Sequence, residues 1–346
     1  MPTRPTYFPA LKTKQGELTA LEHVPDEQRT NTVPILDLDY EEGEALGGRT
    51  TSKLTTILER AWAGGRLVLD ATAADASTDG TDQYRTLLEK LRPTDVAVVP
   101  AASVASSADF LAMLGDTHRT DNNGVCIRLT SEELAAGVAA DLDTTLGRLG
   151  LQPEDVDLVI DFGQTDEVSM SLHAAILRLA LPSVPYLDRW RHLVVLSGAF
   201  PASLSNPRKT VSIVRADSGL WRQVTSDRTI ARVLDYGDYG VTHPAAAAPT
   251  GGFRSAPNVR YTQDDVWTTM KWTLRPDEGH DGMYDVARTL RDAGVFDAPS
   301  FSWGDAELHR RADRDGGPGG GAQWKAWSTS HHLAKVNARL SSLGEP

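Results

Sequence analysis

Short runs of Val, Ile and Leu recur along the chain, and each is followed by a longer stretch whose apolar residues return at helical spacing. Near-continuous apolar runs suit strands buried on both faces, the mark of a parallel sheet covered by helices. The pattern predicts strands over 6–11, 33–38, 66–70, 96–100, 125–129, 157–162 and 192–197, with a weaker eighth within 232–238. Helices are predicted over 16–24, 51–63, 82–91, 105–114, 130–149 and 167–180. The fifth of these opens on Thr130-Ser131-Glu132-Glu133, a capping hydroxyl before an acidic first turn.

Eight strand–helix units joined by parallel crossovers point to an α/β fold, a TIM-type (β/α)8 barrel. A doubly wound open sheet is the alternative, but no Gly-x-Gly-x-x-Gly turn follows the first strand. Beyond residue 244 the alternation stops. An Ala/Pro/Gly-rich stretch over 245–257 reads as a flexible loop. Aromatic and β-branched residues on either side of Gln263-Asp264-Asp265 then predict a hairpin. Helices are predicted over 283–293 and 323–340, separated by the Gly-rich run 315–321. The expected organisation is a barrel over 1–244, the loop over 245–257, and a hairpin and helical elaboration of the same domain over 258–346.

Composition changes this picture little. With 40% hydrophobic residues in 346, there is ample material for one large core. No apolar run reaches the ~18–20 residues that span a bilayer, and the first residues lack a signal-peptide core. The single cysteine, Cys126, permits no intrachain disulfide and fits a reducing, cytoplasmic setting; it reads as a small packed hydrophobe rather than a catalytic thiol. The net charge of −12 argues against broad non-specific nucleic-acid binding and leaves room for a local basic pocket.

Active sites of such barrels form at the C-terminal ends of the strands. That rule selects Lys12, Lys14 and Glu17 after the first strand, Asp37 or Asp39 on the second, Asp70 on the third and Arg128 on the fifth. It also selects Asp161 and Gln164 on the sixth, Ser197 on the seventh, and Asp235 or Asp238 on the eighth, followed by Tyr239. Asp37 and Asp39 alternate, so one of them at most faces the axis, and Asp37 is taken as inward. Lys14, Glu17, Asp37, Asp161 and Asp238 are the candidate catalytic residues, as acids, bases or ligands of a Mg²⁺ ion. Lys12, Asp70, Arg128, Gln164, Tyr239 and His332 are the candidate substrate contacts, the basic ones toward phosphate. Against this, rim charges of a barrel are commonly solvated or ion-paired. Adjacent His331 and His332 on a helix point ~100° apart and so do not chelate one ion. No Walker A loop, nucleophile elbow, HExxH, paired CxxC or EF-hand loop is present.

The run from Tyr7-Phe8-Pro9-Ala10-Leu11-Lys12 through Lys14, Gly16 and Glu17 resembles the opening of the beta protein family, which takes its name from a bacteriophage protein. Val33-Pro34-Ile35-Leu36-Asp37 is similar to that family's second strand, and Ser302-Trp303-Gly304-Asp305 with Trp324 and His331-His332 to its closing pattern. The resemblance implies a role in phage–host conflict and antiviral defence, and supplies no catalytic residues. Two functions stay open. One is an enzyme of hydrolase type, working on the phosphodiester or nucleotide part of a phosphate-containing ligand. The other is a non-catalytic sensor or scaffold whose aromatic C-terminal third binds a protein partner, since Trp and Tyr are enriched at binding hot spots.

Overall fold

The computed structural model describes residues 4–38, 40, 46, 51–204, 207–227, 230, 232–245, 256–273 and 279–346. Asp39 and most of the Ala/Pro/Gly-rich stretch lie outside the described residues. Eight parallel strands close into a barrel: β1 (Tyr7–Lys12), β2 (Ile35–Asp37), β3 (Arg66–Asp70), β4 (Ala97–Ala102), β5 (Val125–Thr130), β6 (Val156–Gln164), β7 (His192–Gly198) and, skipping the next strand in the chain, β9 (Asp235–Asp238). β9 lies between β7 and β1 and completes the ring. The weak eighth strand of the sequence pattern is therefore the closing one.

The outer layer starts with α1 (Gln15–Glu22), the short α2 (Asp26–Arg29), α3 (Thr51–Trp62), α4 (Thr78–Leu91) and α5 (Ala108–Asp121). The single helix expected over 130–149 is two. Thr130 and Glu133 form a capping box that starts α6 (Ser131–Ala136), and Gly137 breaks it with φ 93° before α7 (Ala139–Leu149). A side chain at that φ is strained, so the chain turns there. The layer continues with α8 (Met170–Ala180) and α9 (Ala216–Thr225).

Strand periodicity sorts the barrel side chains into two cores. One parity, including Leu36, Leu69, Ile127, Leu158 and Val195, faces the helices in the main apolar cluster. The other, including Phe8, Ile35, Val68, Val99, Cys126, Val159 and Val194, fills the barrel interior. Cys126 is buried there, and burial beside Asp157 and Asp70 pushes its thiol well above the ordinary value. It is a packed hydrophobe and is not poised as a nucleophile.

β8 (Thr210–Val214) leaves the barrel between β7 and β9. It joins the predicted hairpin, β10 (Asn258–Thr262) and β11 (Val266–Lys271), in an antiparallel sheet of order β10-β11-β8. The sequence pattern contained no separate signal for β8. Helices α10 (Gly282–Asp292), α11 (Trp303–Ala312) and the long α12 (Gly321–Ser342) pack with this sheet. The tryptophans read as partner hot spots are mostly core: Trp267, Trp324 and Trp327 are at most 2% exposed. Large rings near an apolar interior gain more from burial than from display.

Candidate functional site

The ends of β1, β2 and β3 are in register, so Lys12, Asp37 and Asp70 form one row at the C-terminal rim. Inward parity turns all three toward the axis, where they meet Arg128 from β5. Arg128 Nη1 donates to Asp37 Oδ1 (2.9 Å) and Asp70 Oδ2 (2.7 Å), Nε to Asp161 Oδ2 (3.0 Å), and Nη2 to the Tyr239 hydroxyl (2.7 Å). Lys12 Nζ donates to Asp37 Oδ2 at 2.7 Å, and Tyr239 donates to Asp161 Oδ2 at 2.5 Å. Four side chains thus meet the Arg128 guanidinium directly, and Lys12 joins them through Asp37.

Local backbone fixes the acids. Asp70 Oδ1 accepts from the backbone and hydroxyl of Thr72, which leaves Oδ2 for Arg128. Asp161 Oδ1 accepts from Gly163 N, where the β6–β7 register slips and Gly163 takes φ 56°. Such a bulge re-aims a strand end. Burial alone would raise the carboxyl of Asp37, but Arg128 and Lys12 outweigh it and hold it below the ordinary value. Burial pushes the Tyr239 phenol well up, so it stays a neutral donor. The hub holds three carboxylates against two cations. Arg128 and Lys12 already occupy oxygens of all three acids, and no group of three or more His, Cys, Asp or Glu among the described residues could hold a metal ion. A Mg²⁺ site therefore finds no support in this donor set.

Two other candidates lie elsewhere. Asp238 has the parity of Tyr236 and points out of the barrel; Tyr239, one residue on, is the inward one. Asp238 is fully buried, accepting from the hydroxyl of Tyr7 (2.8 Å), Gly240 N (2.9 Å) and His332 Nε2 (2.9 Å). That bond locks α12 onto the barrel, so Asp238 and His332 serve the fold and do not line the mouth. His331 does the same toward α11, meeting Asp305 Oδ2 (2.9 Å) through Nδ1 and donating from Nε2 to Thr262 O (2.7 Å). Gln164 is exposed at the tip of β6. Ser197 and Asp235 are buried, and Asp235 accepts from Thr6 N and faces His192 at the opposite end of the barrel.

Lys14 and Glu17 belong to a second cluster on the same rim. Glu17 is 2% exposed, accepts from the Thr242 hydroxyl (2.9 Å) and lies 3.6 Å from Lys325 Nζ. Lys325, on α12, crosses the first turn of α1 and also bonds to Thr242 Oγ1 and Val241 O.

A family model described as Beta protein matches residues 7–338. The chain belongs to the Beta protein family. Protein beta of Enterobacteria phage P4 is 23% identical over 349 residues, covering 95% of this chain and 92% of that one. Among solved structures, the chain is similar to the spore cortex-lytic enzyme SleL of Bacillus megaterium QM B1551, with TM-score 0.35, 9% identity, and 84% and 70% of the two chains covered. It is also similar to a zinc-bound adenosine deaminase from Xanthomonas campestris, with TM-score 0.32, 14% identity, and 70% and 57% covered. Among the described residues no helix is long and apolar enough to cross a membrane.

The family's opening run now has a physical reading. Lys12 reaches the hub, Lys14 stands at the start of α1, Gly16 admits α12, and Glu17 pairs with Lys325. A Cβ at Gly16 would fall 2.7 Å from Ala322 O and 3.1 Å from Lys325 Cβ. Sequence reasoning missed Arg260, Thr242 and Lys325. The only signal for Lys325 was its place next to Trp324 of the closing pattern.

Proposed function

We propose that this Beta-family protein is an enzyme whose site is the C-terminal mouth of the barrel, working on a phosphate-containing ligand of nucleotide or nucleic-acid type. The observation that carries the reading is the convergence of Lys12, Asp37, Asp70, Asp161 and Tyr239 on Arg128, at the end of the fold where such barrels work. Asp37, held ionised, is suited to accept a proton or a ligand hydroxyl; Tyr239, held neutral, is suited to donate. Asp161, shared between Arg128 and Tyr239, would pass to the ligand if Tyr239 swung away.

One observation favours a second reading. Arg128 Nε, Nη1 and Nη2 all bond within the protein, as they would in a scaffold that never turns over. A thermal-shift screen against nucleotides, short nucleic acids and divalent metals separates the two, with Asp161→Ala and Lys14→Ala alongside. A ligand-specific rise in melting temperature, lost in Asp161→Ala, supports the enzyme site. No rise with any ligand, from folded protein, supports the scaffold.

A further inference from the structure

The cluster beside the hub has an imbalance that the fold does not explain. Arg260 Nη1 donates to Val241 O at 2.6 Å, and Lys325 Nζ donates to the same oxygen at 3.1 Å. Two cations are thus held within a few ångström of each other. Arg260 Nε is taken by Asn258 Oδ1 (2.7 Å), and its guanidinium lies over the Phe200 ring, 4.7 Å from the centroid. Its Nη2 has no hydrogen-bond partner among the described residues. Lys14, the residue before α1, is exposed, and its side chain makes no hydrogen bond or ion pair among the described residues. Glu17 is the carboxylate that opposes both Arg260 and Lys325.

Like charges this close cost stability unless something neutralises them. The region is basic on a chain of net charge −12. It is also reachable: 19% of the Lys325 side chain is accessible, and Arg260 is only partly buried. The side chains are held in place rather than free, since Gly16 lets Lys325 lie against α1 and Phe200 backs Arg260. Backbone N–H groups of the first turn of α1 add to the positive end, because the residue at its cap supplies no side-chain acceptor.

We propose that Lys14, Arg260 and Lys325 form an oxyanion site on the barrel rim that takes a phosphate group. Glu17 and Thr242 position Lys325 and do not touch the anion. Burial, Arg260 and Lys14 draw the Lys325 amine down to about 7 although Glu17 opposes them, so an arriving dianion restores its proton and gains a full charge pair. The proposal deepens the reading of the mouth as a site for phosphate-containing ligands, but it stands on other residues.

The test is calorimetric titration of the full chain with inorganic phosphate, against chloride at matched ionic strength. Saturable binding is expected, weakened at least tenfold in Arg260→Gln and in Lys325→Met and unchanged in Asp161→Asn. Absence of saturable binding in the wild type overturns the proposal, as does unaltered binding in Arg260→Gln. Binding lost in Asp161→Asn but kept in Arg260→Gln overturns it too, while leaving the mouth reading intact. A second measurement needs no variant. An amine-acylating reagent at pH 7 should modify Lys325 on the wild-type chain, read by peptide mass spectrometry, and phosphate should suppress that label at least fivefold. A label indifferent to phosphate counts against the site.

Discussion

Arg128 and Asp161 are joined twice through a single oxygen: Nε at 3.0 Å and Nη2 at 2.8 Å both reach Asp161 Oδ2. The other oxygen of Asp161 stays with Gly163 N, so the pair is fixed from both sides. Arg128→Met would leave Asp37, Asp70 and Asp161 facing one another with only Lys12 to balance them. Removing one partner of a buried charge network costs about 3–5 kcal/mol. Urea unfolding should show that loss, and a drop under ~1 kcal/mol would mean the acids relax or protonate without the hub.

Gly16 is the hinge of the second cluster. Gly16→Ala drives a methyl into Ala322 O, and backbone cannot move aside as a side-chain tip can. Overpacking of this kind costs roughly 1–3 kcal/mol. The variant should unfold at lower denaturant, and its Lys325 should label more slowly as Glu17 and Arg260 lose register with it. Normal stability with normal labelling would show that α12 does not need this close approach.

Lys325 should write its own pH signature into stability. Its amine sits near 7 in the folded chain, below the unfolded value of 10.5. Between those values the unfolded state binds more protons, so stability rises with pH. Comparison with Lys325→Met isolates the group. The wild type should gain on the variant as pH rises from about 7 to about 10, and the difference should be flat below 7. A melting-temperature difference that does not change with pH across that window would remove the buried-amine account.

Asp305 carries the opposite sign. Burial would raise its carboxyl, but His331, Ser302 and Tyr261 hold it below 3.8. Its contribution is full above that value and fades as pH falls through the lowered one. Asp305→Asn should lose about 1–3 kcal/mol at pH 7 by weakening bonds to a charged acceptor. The gap to wild type should narrow below pH 4. Equal stability at pH 7 would show that the His331 bond to Thr262 O suffices alone.

How much of this was legible in the sequence follows from where each signal lives. Strand parity is local, so the inward set Lys12, Asp37, Asp70, Arg128 and Asp161 could be proposed from strand ends alone. Asp238 misled because the eighth strand is only four residues long, and its parity cannot be read without knowing that Tyr236 faces outward. Tyr239, just past that strand, was selected with less reason and lies at the hub. Arg260 and Lys325 were invisible because they reach the rim from the hairpin and α12, which no periodicity ties to a barrel end. β8 was missed because its residues alternate between half-exposed and exposed, a weak pattern for an edge strand. Gly137 stands in the sequence, but its break in the helix needs a positive φ that composition alone does not announce.

β8 precedes the closing strand of the barrel in the chain, yet its pairing partner β11 follows that strand. During synthesis every barrel strand is therefore made before β8 can be satisfied, and its hydrogen-bonding edge must wait. A chain cut after the barrel would hold that edge bare, a template for pairing with other molecules, and would leave Asp238 without His332. The sequence boundary at 244 marks a change of pattern, and the β8–β11 pairing and the Asp238–His332 bond both cross it.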